Sequence, residues 1–307
     1  MLRGSRTSVN GISNDVRSVP PPQHAPARLR NMKEQLGLLV LLLPFCANAL
    51  SVQPAGLWRN PADRELWYDL GKAHWERAQA TNDGVTSGIG PLHDVDIADS
   101  RRFLTAGEAP LWPSPTFRAG SRALDIGAGI GRVSDALLLN LCGEVDLVDG
   151  SAAYLEQARA SLGDERATPE RGRLGKLVCS DLQSFVPEPS YDLVWIQWTT
   201  MYLTDDDLKR LLADCQRALA PGGLIVLKDN VIDEVKGSTA LLEGRYMVDA
   251  DDASVSRTRS HLLDLVNEAG LSLVATATAD LESQELRACL SANDWTEMHP
   301  VAMLALR

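Results

Sequence analysis

The sequence predicts an α/β fold built on a mostly parallel sheet with helices as crossovers. Three observations predict it. Short runs rich in Val, Ile and Leu alternate with stretches of helical periodicity from residue 122 onward, the pattern of strand–helix–strand units. Each run is nearly continuously apolar, as a strand covered on both faces must be. A glycine-rich turn, "ALDIGAGIGR" (123–132), follows the first run and opens a helix, which places a ligand loop at the carboxyl end of a strand.

The chain divides into two regions of different character. Residues 1–55 read as a disordered leader, with scattered Ser, Asn and Arg around "PPPQHAPAR". Within it, 32–49 pairs Lys33 with about ten apolar residues from Leu36 to Phe45 and then "ANA", the layout of a targeting segment with a small-residue cleavage site. Met32 is an alternative start. The run is too short to span a bilayer comfortably, so no stable membrane association is expected of the mature chain. Residues 56–307 read as one domain, with a helical extension over 60–118 and the α/β core over 119–307. Of 307 residues, 45% are hydrophobic, enough for a sizeable core. The net charge is -11, and residues 1–35 alone carry +4, so the remainder sits at -15. That acidity argues against nucleic-acid binding, which needs a basic face; it suits a basic partner or merely aids solubility. Five cysteines at wide spacing, none in a CxxC pair, give no framework for zinc or disulfides.

In the extension, "NPADRELWYDLGKAHWERAQA" (60–80) has helical spacing, with Asn60 as N-cap and Pro61 at N1. Residues 81–96 read as a loop and 96–107 as a short helix. In the core, strands are expected at 122–126, 144–149, 176–180, 191–198, 223–228, 271–279 and 301–306. Helices are expected at 131–141, 151–162, 204–219 and 252–269, and a long polar linker joins the last two strands.

Gly127 and Gly129 allow a ligand close to the main chain, and Gly131 allows close helix packing. Alone, the loop fits a nicotinamide, flavin or S-adenosylmethionine cofactor. Asp149, about twenty residues on at the end of strand two, is placed to take both ribose hydroxyls; the alternative is a helix N-cap. "CSDLQSF" (179–185) ends strand three with an acid and an amide, and Leu182 and Gln183 fall where an adenine ring is flanked. Arg132 can pair a carboxylate bidentately, or it is a solvated helix-start residue. The "PGG" turn before strand five and the GxGxG spacing resemble class I methyltransferases. That resemblance implies S-adenosylmethionine and a Rossmann-like sheet of seven strands, one antiparallel, with helices on both faces.

Several stretches are more specific. "GAGIGR", "EVDLVD", "DLQSFVPEPSYDLVWIQW", "YLTDDDL", "GGLIVLKDN" and "DASVSR" resemble the protein alpha-N-terminal methyltransferases, over about 65 to 307. The resemblance implies methylation of the free alpha-amine of proteins that begin X-Pro-Lys once the initiator Met is removed. It implies Asn230 and Asp252 as the catalytic pair, Asp249 facing the substrate Lys and Ser254 a polar contact nearby. Trp75 and Trp198 become aromatic walls, and Gln197 a cofactor contact. Read from the residues alone, "DADDAS" is a solvated acidic helix start with Asp252 as N-cap, and each Trp is a core residue.

The chain also departs from that family. Tyr202 stands where a catalytic His is usual, "DGVTSG" (83–88) replaces "DGMLGG", and His74 and His299 replace tyrosines. These changes imply shifted peptide preference or weaker activity with the cofactor site kept, move the base role toward Asp252, and place Tyr202 in the substrate region as a hydrogen-bonding group. The family works in cytosol and nucleus, whereas 32–49 points to a secretory or organellar route. Two other readings stay open: a small-molecule amine or carboxylate methyltransferase, and a non-catalytic homologue that binds S-adenosylmethionine. Oligomeric state is not legible.

Overall fold

A computed structural model describes residues 58, 60–107, 110–112, 117–163, 168–232, 241–242, 244–249, 252–279, 281, 284–292 and 299–307. The expected leader, 1–55, and its targeting-like segment lie outside the described residues. Among the described residues no helix is long and apolar enough to cross a membrane.

The extension opens with α1 (Pro61–Trp75), capped by Asn60, whose side-chain oxygen accepts from the Asp63 N–H at 3.0 Å. Pro61 at the first position supplies a preset φ and lacks only a donor that would be unpaired there anyway. The helix ends at Trp75, short of residue 80. Inside the expected loop lies one short turn, α2 (Asn82–Val85), capped by Thr81. The next helix, α3 (Leu92–Thr105), starts at Leu92 rather than at residue 96. The loop glycines had hidden this start.

The core runs β1 (Arg118–Ile126), α4 (Arg132–Ala136), β2 (Cys142–Asp149), α5 (Ala152–Leu162), β3 (Arg173–Cys179), β4 (Tyr191–Gln197), α6 (Asp205–Ala218) and β5 (Leu219–Ile232). There follow β6 (Tyr246–Asp249), β7 (Ser254–Thr258), α7 (Arg259–Glu268), β8 (Leu273–Thr278), α8 (Gln284–Ala292) and β9 (Val301–Leu306). Strands β3-β2-β1-β4-β5 are parallel neighbours. Strand β9 enters antiparallel between β5 and β8. These seven are the expected sheet, with β9 as its single reversed strand.

Two strands were not expected. The far end of β5, Val231 and Ile232, pairs with β7, and β7 pairs antiparallel with β6. The expected helix over 252–269 is thus corrected: Ser254–Thr258 is a fully buried strand, and the helix begins only at Arg259. Thr258, not Asp252, is its N-cap, accepting from the His261 N–H at 3.3 Å. The polar linker contains α8, which buries Leu286 against Ile89 and Leu92.

Alternate residues of each strand feed two cores. Leu124, Ile126, Val194, Ile196, Ile225 and Leu227 pack under α6 and α7. Ala123, Val145, Leu147, Leu193, Trp195 and Val226 pack under α3, α4 and α5. Helices therefore cover both faces, as continuous apolar strands require.

At the turn into α4, Gly131 has φ +78, and a Cβ there would lie 2.6 Å from Leu162 Cδ1 and 3.3 Å from the Ala158 Cβ. Gly131→Ala adds left-handed backbone cost to overpacking against α5, together about 2–3 kcal/mol. Urea unfolding should register that loss, and an unchanged midpoint would contradict it.

Candidate active site

Five parallel strands end on one edge of the sheet, and the chemistry-bearing residues stand at those ends. Strand β1 ends at the glycine loop, β2 at Asp149, β4 at Gln197 and Trp198, and β5 carries Asn230. Residues Leu182 and Gln183 follow β3. Above this edge lies a cavity of about 470 Å³, and all fourteen residues singled out in the sequence line it. The loop residues Val85, Thr86 and Ser87, together with His299, line it as well. His74 packs edge-on against Trp75, ring centres 5.1 Å apart.

One side of the cavity is built around the glycine loop. Gly127 has φ +69, and a Cβ there would fall 2.1 Å from Thr199 Oγ1, so no other residue fits. The Gly129 N–H donates to Asp149 Oδ2 and the Ser151 N–H to Oδ1, each at 2.8 Å. Burial raises the Asp149 pKa, and these two donors oppose it. Asp149 does not cap α5; Ser151 does, accepting from the Tyr154 N–H at 3.3 Å. The Asp149 carboxylate is thus held at the cavity wall. Asp125 lies beneath the loop, fully buried and bonded by the Ser134 hydroxyl at 2.7 Å, with its pKa pushed up by burial to about 6.

Arg132 is buried rather than solvated, at 7% exposure. Its Nη1 donates to Asp96 Oδ2 at 2.7 Å and lies 3.3 Å from His93 Nδ1, and its guanidinium carbon sits 5.3 Å from the Trp198 ring centre. Asp96, on α3, is the hub of a wholly buried cluster. It also pairs with the Lys228 ammonium at 2.5 Å and accepts from Gln197 Nε2 at 2.8 and 2.9 Å. Burial would raise the Asp96 pKa, but Arg132 and Lys228 outweigh it and hold it below the ordinary carboxylate value. Burial pulls Lys228 down while Asp96 resists. Gln197 Oε1 takes the Trp195 indole N–H at 2.9 Å. Gln197 therefore lines the cavity with its polar ends engaged by the protein, and Trp195 is core.

The other side is acidic and aromatic. Asn230 receives its place from Asp229, which accepts the Asn230 N–H at 2.9 Å and also the Thr200 hydroxyl. The β6–β7 hairpin carries Asp249 opposite Ser254, and Asp252 lies in its turn. Tyr202 donates its hydroxyl to Asp252 Oδ2 at 3.1 Å. Burial raises the Asp252 pKa; the Ser254 hydrogen bond opposes that, the Asp249 charge adds to it, and the Tyr202 bond opposes it. Burial and the neighbouring Asp252 charge hold Tyr202 well above its ordinary value, so its phenol stays a neutral donor. Asp252 Oδ1 is buried without a hydrogen-bond partner among the described residues, an oxygen left to a ligand. Trp75 meets Tyr202 edge-on at 5.7 Å. Trp198 closes the opposite wall with φ +49, a left-handed conformation costly for a bulky side chain.

The hairpin is anchored from behind. Asp205 on α6 accepts from Arg257 Nε at 2.9 Å and pairs with His261 Nε2 at 2.7 Å, and the Tyr246 hydroxyl lies 2.8 Å from His261 Nε2. Sequence reasoning missed these residues and the Asp96 cluster. A signal for the latter existed: Lys228 interrupts the apolar strand "LIVLKDN" and demands a buried counter-charge.

A parallel sheet with one reversed strand, a glycine loop after β1 and a carboxylate after β2 define a class I methyltransferase that uses S-adenosylmethionine. The residues fit that cofactor: Gly127 and Gly129 line the cavity with bare backbone, no protein atom but Val85 Cγ1 at 3.8 Å stands within 4 Å of where a Gly129 Cβ would be, and Asp149 lines the same space. The sequence model of the family described as AdoMet dependent proline di-methyltransferase matches residues 63–307, and the chain belongs to that family. It is 39% identical over 214 residues to N-terminal Xaa-Pro-Lys N-methyltransferase 1 of Bos taurus and of Homo sapiens, covering 69% of this chain and 88% of each relative. Among solved structures, a SAM-dependent methyltransferase from Leishmania major is similar with a TM-score of 0.63 and 33% identity, over 78% of this chain and 83% of that one. A phosphoethanolamine N-methyltransferase from Haemonchus contortus shares the fold at 20% identity and a TM-score of 0.54, over 79% of this chain and 48% of that one.

Removing the hub should cost more than removing either spoke. Asp96→Ala strands two buried cations and should destabilise by about 3–5 kcal/mol. Lys228→Met leaves Asp96 still paired with Arg132 and should cost clearly less. Denaturant unfolding of both variants ranks them, and the reverse order would refute the hub.

Proposed function

We propose that this protein transfers methyl groups from S-adenosylmethionine to the free alpha-amine of proteins beginning Xaa-Pro-Lys. The observation that carries the proposal is the acidic, aromatic chamber of Asn230, Asp249, Asp252, Trp75 and Trp198, open to the glycine loop within one cavity. The relatives' names supply the substrate, and the chamber's chemistry suits it.

In this reading Gly127, Gly129, Arg132, Asp149, Leu182 and Gln183 hold the cofactor, and Gln197, tied to Asp96 and Trp195, shapes the wall beside it. When bound, S-adenosylmethionine supplies a methyl group on a sulfonium sulfur. The chain's own residues do the rest. An alpha-amine has a reference pKa of about 7.7–8.0, so an appreciable neutral fraction exists near pH 7. The Asn230 side-chain oxygen accepts from that amine and aims its lone pair at the methyl carbon, a positioning task. Asp252 takes the proton and offsets the positive charge that grows on nitrogen. Tyr202 holds the other carboxylate oxygen of Asp252 in place. Trp75 and Trp198 wall the second residue, where proline's apolar ring and fixed φ suit a rigid slot. Asp249 and Ser254 meet the lysine of the third residue.

A synthetic Xaa-Pro-Lys peptide, its N-acetylated twin and labelled cofactor test this by mass spectrometry. Methyl uptake by the free peptide alone is expected. Uptake by small amines instead would place the protein with metabolite methyltransferases, and cofactor binding with no turnover would make it a binding homologue. Asp252→Asn and Asn230→Ala should each lower kcat by roughly 10²–10⁴ with the cofactor Kd unchanged. Because burial holds the Asp252 pKa above the ordinary carboxylate value, the wild-type rate should fall as pH drops through that raised pKa. Asp252→Asn should lose this limb. Asp149→Ala should act on the other half of the cavity, weakening the cofactor Kd in calorimetry; an unchanged Kd would remove Asp149 from the ribose role.

A further inference from the structure

Tyr154 sits in the first turn of α5, on the cofactor side of the cavity, yet its hydroxyl reaches across to the substrate side. It donates to the Trp75 carbonyl at 2.8 Å, with the Ala78 carbonyl at 3.3 Å. The ring is 5% exposed and lines the cavity. The place it bonds is a weak one. Helix α1 ends at Trp75, so its last carbonyls rely on tightened, longer bonds from the residues just beyond, His74 from the Arg77 N–H at 3.1 Å. The Trp75 carbonyl also accepts from the Ala78 N–H at 3.2 Å, and Tyr154 completes the closure of that turn.

We infer that Tyr154 is a positioning residue: its hydroxyl fixes the end of α1 and thereby sets the Trp75 indole that walls the peptide slot. This rests on the substrate reading above and extends it. The bonded path is short. Asp149 accepts the Ser151 N–H, Ser151 accepts the Tyr154 N–H, and Tyr154 donates to Trp75. The carboxylate assigned to the cofactor and the indole assigned to the peptide are thus joined through one helical turn. The middle of α1 is tied separately, by the Trp67 indole N–H to the Tyr202 carbonyl at 2.8 Å and by Tyr68, whose hydroxyl accepts the Thr204 N–H at 3.2 Å and donates to Asp207. Loss of the Tyr154 hydroxyl therefore frees the Trp75 end without detaching the helix.

Tyr154→Phe keeps the ring and removes only the donor. In the full chain it should raise the KM for the Xaa-Pro-Lys peptide roughly three- to tenfold, the range of one hydrogen bond. The cofactor Kd and kcat should stay within about twofold. In a Trp75→Ala background the same change should add nothing to KM, because the two act as one unit. A separate readout needs no turnover: with 5-fluorotryptophan incorporated, and Trp75 assigned by its loss in Trp75→Phe, the Trp75 fluorine resonance should shift or broaden in Tyr154→Phe. If wild-type protein fails to methylate the peptide, the substrate reading falls and the fluorine shift still tests Tyr154. An unmoved resonance, an unchanged KM on a working enzyme, or an equal KM rise without Trp75 would each overturn the role of Tyr154.

Discussion

A buried carboxylate between two buried cations governs this structure. Asp96 comes from the helical extension, Arg132 from the helix after the glycine loop, Lys228 from β5 and Gln197 from β4, so four elements meet on one fully buried acid. In so dry a place the pairing cannot be optional. Either ion alone would carry a desolvation penalty of several kcal/mol. The consequence is architectural. The sheet cannot bury Lys228 until α3 delivers Asp96, and α3 is therefore part of the core rather than an appendage. The same contact sets Arg132 under the Trp198 ring, so one pair of charges shapes both halves of the cavity.

The cavity itself is assembled from strand ends under local strain. Gly127 must pass within van der Waals contact of Thr199, and Trp198 adopts a left-handed backbone conformation between them and β5. Its N–H still finds the Lys228 carbonyl at 2.9 Å, which offsets part of that cost. Strain of this kind persists where the surroundings over-determine it. Here those surroundings are the continuous strands β4 and β5 and the buried Asp96 cluster, which hold Trp198 from below.

Much of this was legible in the sequence, and for identifiable reasons. Continuous apolar runs fix the buried strands, and the glycine turn and Asp149 mark the strand ends that line the cavity. The glycine loop, Asp149, Gln197 and Asn230 line one cavity because the parallel strands end on one edge, so those local motifs converge without long-range information. The rest failed where tertiary context overrides local pattern. "DASVSR" reads as an acidic helix start, but Ser254–Thr258 finds the free edge of Val231 and Ile232 and becomes a strand. Asp96 looks like one more polar residue on an amphipathic helix. Its partners are 36 and 132 residues away, and only the Lys228 anomaly pointed to it.

The acidic half of the cavity follows an electrostatic logic of its own. An amine nucleophile is useful only when neutral, and it becomes cationic as it attacks. A strongly acidic carboxylate would stabilise the substrate ammonium and hold it unreactive. Burial and the Asp249 charge avoid this by raising the Asp252 pKa and with it the carboxylate's affinity for the proton. Tyr202, kept neutral by its own burial, donates to one oxygen and leaves the other without a partner among the described residues, where the proposed reaction puts the amine. A second cation at this position would reverse the effect, drawing the Asp252 pKa down and repelling the amine. A phenol that steers the carboxylate without charging the site is therefore a workable partner for a basic substrate, and in the proposed reaction it leaves proton removal to Asp252.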